Sequence, residues 1–244
     1  MNSLEAYLIK DSLLKDNSVQ AELYQQKGKL QAGLEGPMNL ELFQFEIDKF
    51  NQRLENEYNE TSLKELQIHY LEPFSKIKLN AKVSIEGSQL FVSRMARFKE
   101  KDRLRIWLQH LLSTIAYPKE FNGSVGIYQD NRVQLNSLSR DEAKQILKEI
   151  LILYRKGLEK PLLFFPKASY QYIEKILNGK EENDALESIK KSFLQDSWNV
   201  PPESNDYPYS EVFDLESVLN NPDFHKHADT IYRPLIQQII QEDA

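Results

Sequence analysis

The feature that most limits what this chain can become is a change of hydrophobic period. Early in the chain, apolar residues recur every three or four positions, whereas from Leu66 to Val92 they recur every second position. A period near 3.6 places apolar side chains along one side of a helix, and a period of 2 places them on one face of a strand. Ile68 and Tyr70 alternate with Gln67 and His69, and Ile77, Leu79 and Ala81 alternate with Lys76, Lys78, Asn80 and Lys82. Val83-Ser84-Ile85, the turn Glu86-Gly87-Ser88 and Leu90-Phe91-Val92 then predict a hairpin. A helical pattern on both sides of such a stretch calls for a sheet buried against helices.

The flanking pattern supplies those helices. Leu4, Leu8, Ile9, Leu13 and Leu14 predict an amphipathic helix at the start. Gly28, Gly33 and Gly36 mark a link, and Pro37 suits the first turn of a second helix. Leu40, Leu42, Phe43, Phe45, Ile47, Phe50 and Leu54 line so much of that helix that it is expected to be heavily buried. Further helices are predicted around Leu104 to Ile115, near Tyr170 to Leu177, and from His225 to Gln241, with a second hairpin from Val125 to Leu135 turning at Asp130-Asn131. The best-marked helix begins at Ser139-Arg140-Asp141-Glu142, a capping box in which Ser139 and Glu142 satisfy each other's backbone N–H groups. Its buried face is read as Ala143, Ile146, Leu147, Ile150 and Tyr154, with Arg155 and Lys156 near its end and Gly157 as its stop. Trp107, between Ile106 and Leu108, is expected in the core. A polar stretch follows Leu177, and Ser197 to Pro208 reads as a loop. Residues 1–60 are read as a helical segment, 61–160 as an α/β core, and 161–244 as an irregular segment with a closing helix, all in one unit. The fold class is α/β with a central mixed sheet flanked by helices.

Composition closes off several functions. The 244 residues include no cysteine, which removes disulfides, thiolate ligands and a cysteine nucleophile. No apolar run approaches the roughly 20 residues a membrane-spanning helix needs, and Met1-Asn2-Ser3-Leu4-Glu5 is not a signal peptide, so a cytoplasmic location is expected. The net charge of -6 argues against DNA binding over the whole surface and leaves a local patch as the alternative.

One patch stands out. Arg94, Arg97, Lys99, Lys101, Arg103 and Arg105 set six cations against Glu100 and Asp102, a net +4. Such a run neutralises phosphates, or else forms a solvated helix entrance with ion pairs such as Asp102 with Arg105. Phe164, Phe165 and Lys167, with Tyr170 and Tyr172, form an aromatic run that stacks on bases in single-strand binders and packs cores in most proteins. Phe164, Phe165 and Lys167, together with Tyr207 and Tyr209 beside Asp206 and Pro208, are candidates for docking a partner. His69, His110, His225 and His227 lack metal-ligand spacing, and a structural role is expected for each. No cofactor or metal is implied.

Carboxylates receive a stricter test. A metal-dependent nuclease of the restriction-endonuclease type needs an acid ending one strand, and on the next a second acid two residues before a lysine. On the strand pair from Asn80 to Met95, Lys82, Val83 and Ser84 stand where the first acid belongs. Ser93 takes the place of the second acid and Met95 that of the lysine. The shape is present and the ligands are not.

Four blocks in order carry a family resemblance. They are Leu4-Glu5-Ala6-Tyr7-Leu8; Lys99-Glu100-Lys101-Asp102-Arg103-Leu104-Arg105-Ile106-Trp107-Leu108; Gly157-Leu158-Glu159-Lys160-Pro161-Leu162 running into Phe165-Pro166-Lys167-Ala168-Ser169; and Asn205-Asp206-Tyr207-Pro208-Tyr209 ahead of Tyr232-Arg233-Pro234-Leu235. This pattern resembles the C-terminal domain of the exodeoxyribonuclease V gamma subunit, the RecC component of the RecBCD helicase–nuclease. The resemblance implies a restriction-endonuclease-like, PD-(D/E)XK nuclease-like fold with a degenerate active site, and RecB and RecD subunits as partners. It also implies a place near a double-stranded DNA end or its separated strands. The family's full subunit is far longer, so Met1 is expected to begin a fragment. Three readings follow. They are a non-catalytic assembly and DNA-path domain in recombinational repair, a protein-interaction module unrelated to DNA, and an active metal-dependent nuclease using Glu86 or Asp102.

Overall fold

The computed structural model describes residue 28 and residues 35–57, 63–194 and 212–243. The predicted first helix, most of the glycine link and the Ser197–Pro208 loop lie outside the described residues. The architecture is a six-stranded mixed sheet with helices on both faces. Helix α1 (Glu35–Glu57) leads into β1 (Lys64–Leu71), β2 (Lys78–Glu86) and β3 (Gln89–Arg94). Helix α2 (Glu100–Ala116), β4 (Ser124–Tyr128), β5 (Arg132–Leu135) and α3 (Arg140–Glu159) follow. The chain then forms α4 (Pro166–Leu177), α5 (Glu182–Leu194), the short α6 (Leu215–Val218), α7 (Pro222–Gln238) and β6 (Ile239–Asp243).

Strand order in the sheet equals chain order, and every pair is antiparallel except β3–β4. That parallel pair needs a crossover, and α2 provides it. The predicted first hairpin forms at Gly87, whose φ of 56° is the left-handed conformation glycine adopts without penalty. The capping box also forms: Glu142 N donates to Ser139 Oγ at 3.3 Å and Ser139 N to Glu142 Oε2 at 3.1 Å.

Alternation along the strands divides the core in two. Phe91, Met95, Val125 and Ile127 point to one face and meet Phe43, Ile47 and Phe50 of α1. Leu90, Tyr128, Val133 and Leu135 point to the other, where Ile106, Trp107 and Leu111 of α2 and Leu147 and Leu151 of α3 pack. Trp107 is fully buried, as its neighbours predict. Gly126 lets α2 approach: a Cβ there would lie 2.8 Å from Ile106 Cδ1.

Several expectations need correction. Helix α1 is apolar around its circumference near its start but buries only one side, leaving Leu42 and Phe45 exposed, because the sheet supplies a single surface for it. Tyr154 is likewise exposed, since α3 outruns the core beneath it. Gly157 lies inside α3, which continues to Glu159. The polar stretch after Leu177 contains α5, whose Ala185, Ile189 and Phe193 recur every four residues and are buried. The closing helix starts at Pro222, capped by Asn221 Oδ1 accepting from Asp223 N at 2.9 Å, and stops at Gln238. Residues beyond it form β6, because the open edge of β5 offers backbone partners that helix continuation would leave unused.

Candidate nucleic-acid interface

The basic run begins at the carboxyl end of β3, crosses a short loop and enters α2. Its loop is fixed from below by the β4–β5 turn: Gln129 N donates to Ala96 O at 3.1 Å, and Phe98 N to Asp130 Oδ1 at 2.7 Å. Arg53 of α1 reaches the same turn, donating to Tyr128 O at 3.2 Å. Asp102, in the first turn of α2, accepts from Lys99 N at 3.2 Å, which satisfies a helix N–H that has no intrahelical partner.

The six cations divide into two groups. Arg94 pairs with Asp102 at 2.6 Å, and Asp102 is fully buried, so this pair holds the start of α2 onto the sheet. Arg105, the expected partner, forms no ion pair with Asp102. Arg103 lies between the rings of Phe98 and Tyr170, 4.6 and 4.0 Å from their centroids, and pairs with Glu100 at 3.7 Å and with Glu242 of β6. Arg94 and Arg103 therefore hold the fold together. Arg97, Lys99, Lys101 and Arg105 are exposed, and none forms an ion pair with a carboxylate among the described residues. Lys101 and Arg105 are one helical turn apart, about 6 Å along the axis. The surface is thus four cations at a helix start, where the helix dipole adds positive potential.

The aromatic run is mainly core. Phe165 is buried edge-to-face against Phe193 at 4.8 Å and presents nothing to a partner, which removes it as a docking residue. Phe164 is half-buried and stacks on Tyr232 at 5.7 Å, and Lys167 is half-buried at the start of α4. Tyr170 and Tyr172 are buried as well. Tyr207 and Tyr209 lie outside the described residues.

Each histidine has a structural partner. His69 Nδ1 meets Asn80 Oδ1 at 2.7 Å, and His227 Nδ1 meets Leu163 O at 3.1 Å. His225 faces Leu219 O at 2.7 Å and Glu182 at 2.8 Å, stacked on Tyr172 beside a cleft that Lys226, Asp229 and Arg233 also line. Burial and the hydrogen bond to the same Glu182 push the Tyr172 hydroxyl up to about 12. His110 Nδ1 meets Ser124 Oγ at 2.7 Å in the core, where burial pushes its imidazole down to about 4. Among the described residues, no three His, Cys, Asp or Glu side chains gather as a metal site would require.

On the strand pair tested for nuclease ligands, Ser93 is exposed and Met95 is buried beneath α1 with Phe91, Val125 and Ile127. Among the described residues, no helix is long and apolar enough to cross a membrane. Fold and surface together define a mixed-sheet α/β domain with a cationic helix entrance. The chain belongs to the RecC C-terminal domain family, whose model matches residues 1–177. That family is part of the gamma subunit of exodeoxyribonuclease V, the RecBCD complex of DNA repair and recombination. No curated protein matches the chain.

Proposed function

We propose that this domain catalyses nothing itself and works inside a RecBCD helicase–nuclease in double-strand break repair by homologous recombination. It joins the gamma subunit to RecB and RecD and lines the path of a duplex end or its separated strands. The observation that carries the DNA part is the set of four exposed cations that form no ion pair among the described residues, on a chain of net charge -6. Phosphate neutralisation by such a row contributes sequence-independent, salt-sensitive affinity. Their setting, in the loop between β3 and α2 and in the first turns of α2, fixed from beneath by Asp102 and Asp130, suits a rigid backbone rail.

The sheet is read as a nuclease-like fold with a degenerate active site. Support comes from Ser93 and Met95 at the positions that would hold an acid and a lysine. Of the alternative acids, Asp102 is buried against Arg94. The complex is placed in the cytoplasm, where its DNA substrate lies.

The test uses the complete complex, reconstituted with gamma subunit in which Arg97, Lys99, Lys101 and Arg105 are changed to Glu. DNA-end affinity at low salt should fall at least roughly tenfold, and the salt slope should flatten by about one for each lost phosphate contact. Unchanged binding at low salt would reduce the row to a solvated face.

A further inference from the structure

Helix α3 buries Ala143, Leu147 and Leu151 against the core, at 0, 1 and 5% exposure. Spacings of three and four continue that same stripe to Tyr154 and Leu158. Those two are 54 and 70% exposed, and every residue from 154 to 161 is exposed. The core-facing side of the helix thus projects past the core by about two turns. Arg155, Lys156 and Lys160 surround the projecting end against Glu159 alone, and none of the three forms an ion pair among the described residues.

We infer that the projecting end of α3 is a docking site for an acidic segment of another protein chain, one that brings an apolar side chain onto Tyr154 and Leu158. The stripe supplies the apolar contact, and the surplus of two positive charges selects the sign of the partner. A second copy of this chain is disfavoured, because self-docking would bring the same three cations face to face. Nucleic acid would use the cations but leave Leu158 without an apolar neighbour. The inference rests on the reading that the domain works within an assembly, and it names the chemistry of one contact.

The probes are purified RecB and RecD of the same organism, titrated against the intact gamma subunit. One variant carries Tyr154→Ser with Leu158→Ser, and a second carries Arg155→Glu, Lys156→Glu and Lys160→Glu. Both should fold, because all five side chains are exposed, and circular dichroism checks this. Assembly affinity should fall at least roughly tenfold in each, the charge-reversed loss shrinking as salt is raised. DNA-end affinity of the complexes that do form should be retained. Assembly at wild-type affinity in either variant overturns the inference alone. So does intact assembly with weakened DNA binding, which would make the overhang a nucleic-acid contact. Failure of the wild-type subunit to assemble overturns the assembly reading itself and this inference with it.

Discussion

His110 lies inside the domain with its ring stacked at 5.5 Å on Trp107 and edge-on at 5.2 Å to Phe121. Its neutral form belongs to the fold, since burial holds the imidazole near 4 against an ordinary 6.5. A depressed value means that the unfolded chain binds this proton first, so the stability tied to neutral His110 is complete above pH 6.5. It declines as pH falls from 6.5 towards 4. The full effect is about 3 kcal/mol. Urea unfolding of the wild type and of His110→Gln between pH 7 and pH 4.5 should show a steeper acid loss in the wild type. Parallel slopes would mean that the ring takes up its proton at the same pH in the folded and unfolded chains. The basic run shows what a sequence conceals at this scale. Six cations were legible by inspection, but their division was not. Asp102 meets Arg94 from eight positions away, and Glu242 meets Arg103 from 139 away. Pairing at those separations is set by topology, which charge spacing does not encode.

At the scale of elements, the period switch from 3.6 to 2 marked β1 and β2 because each has one apolar and one polar face, and the turn at Gly87 marked β3, which Leu90 and Phe91 bury on both faces. Residues Ser139 and Glu142 marked α3 because both halves of a capping box are local. Helix α5 was legible in principle from Ala185, Leu186, Ile189 and Phe193, but its dense charge masked so narrow a stripe. The end of α7 was not legible, since Ile239 and Ile240 suit a helix as well as a strand and only the edge of β5 decides between them. Helix α1 gave a different lesson. Apolar residues around its whole start foretold burial, while the sheet buries Phe43, Ile47 and Phe50, with Leu54 packed partly against them, and leaves Leu42 and Phe45 exposed. The seating of α2 on β4 depends on Gly126, where a methyl group would also fall 2.9 Å from Val133 Cγ1. Gly126→Ala should therefore destabilise the chain by about 1–3 kcal/mol. Thermal unfolding measures it, and a neutral substitution would show that α2 can shift without loss.

The whole molecule is joined across its sequence by Arg103. Its guanidinium links the start of α2 to Tyr170 of α4 and Glu242 of β6, with only 12% of the side chain exposed. Removing one member of such a pair strands the other charge in a poorly hydrated place. Arg103→Met should cost on the order of 3 kcal/mol, whereas Arg105→Met, on the exposed row, should stay within roughly 0.5 kcal/mol. Equal effects in urea unfolding would dissolve the distinction between structural and surface cations. The same strand has a consequence for how the fold is reached. Neighbouring strands from β1 to β5 meet after short excursions or one crossover, while β5 waits for a partner about a hundred residues further along. Closing so long a loop is slow. Until α3, α4, α5 and α7 are in place, β5 is a bare edge with unfilled hydrogen-bonding groups, and such an edge accepts any extended chain that reaches it first. The late arrival of β6 thus makes β5 the point at which a folding molecule is most open to pairing with the wrong strand.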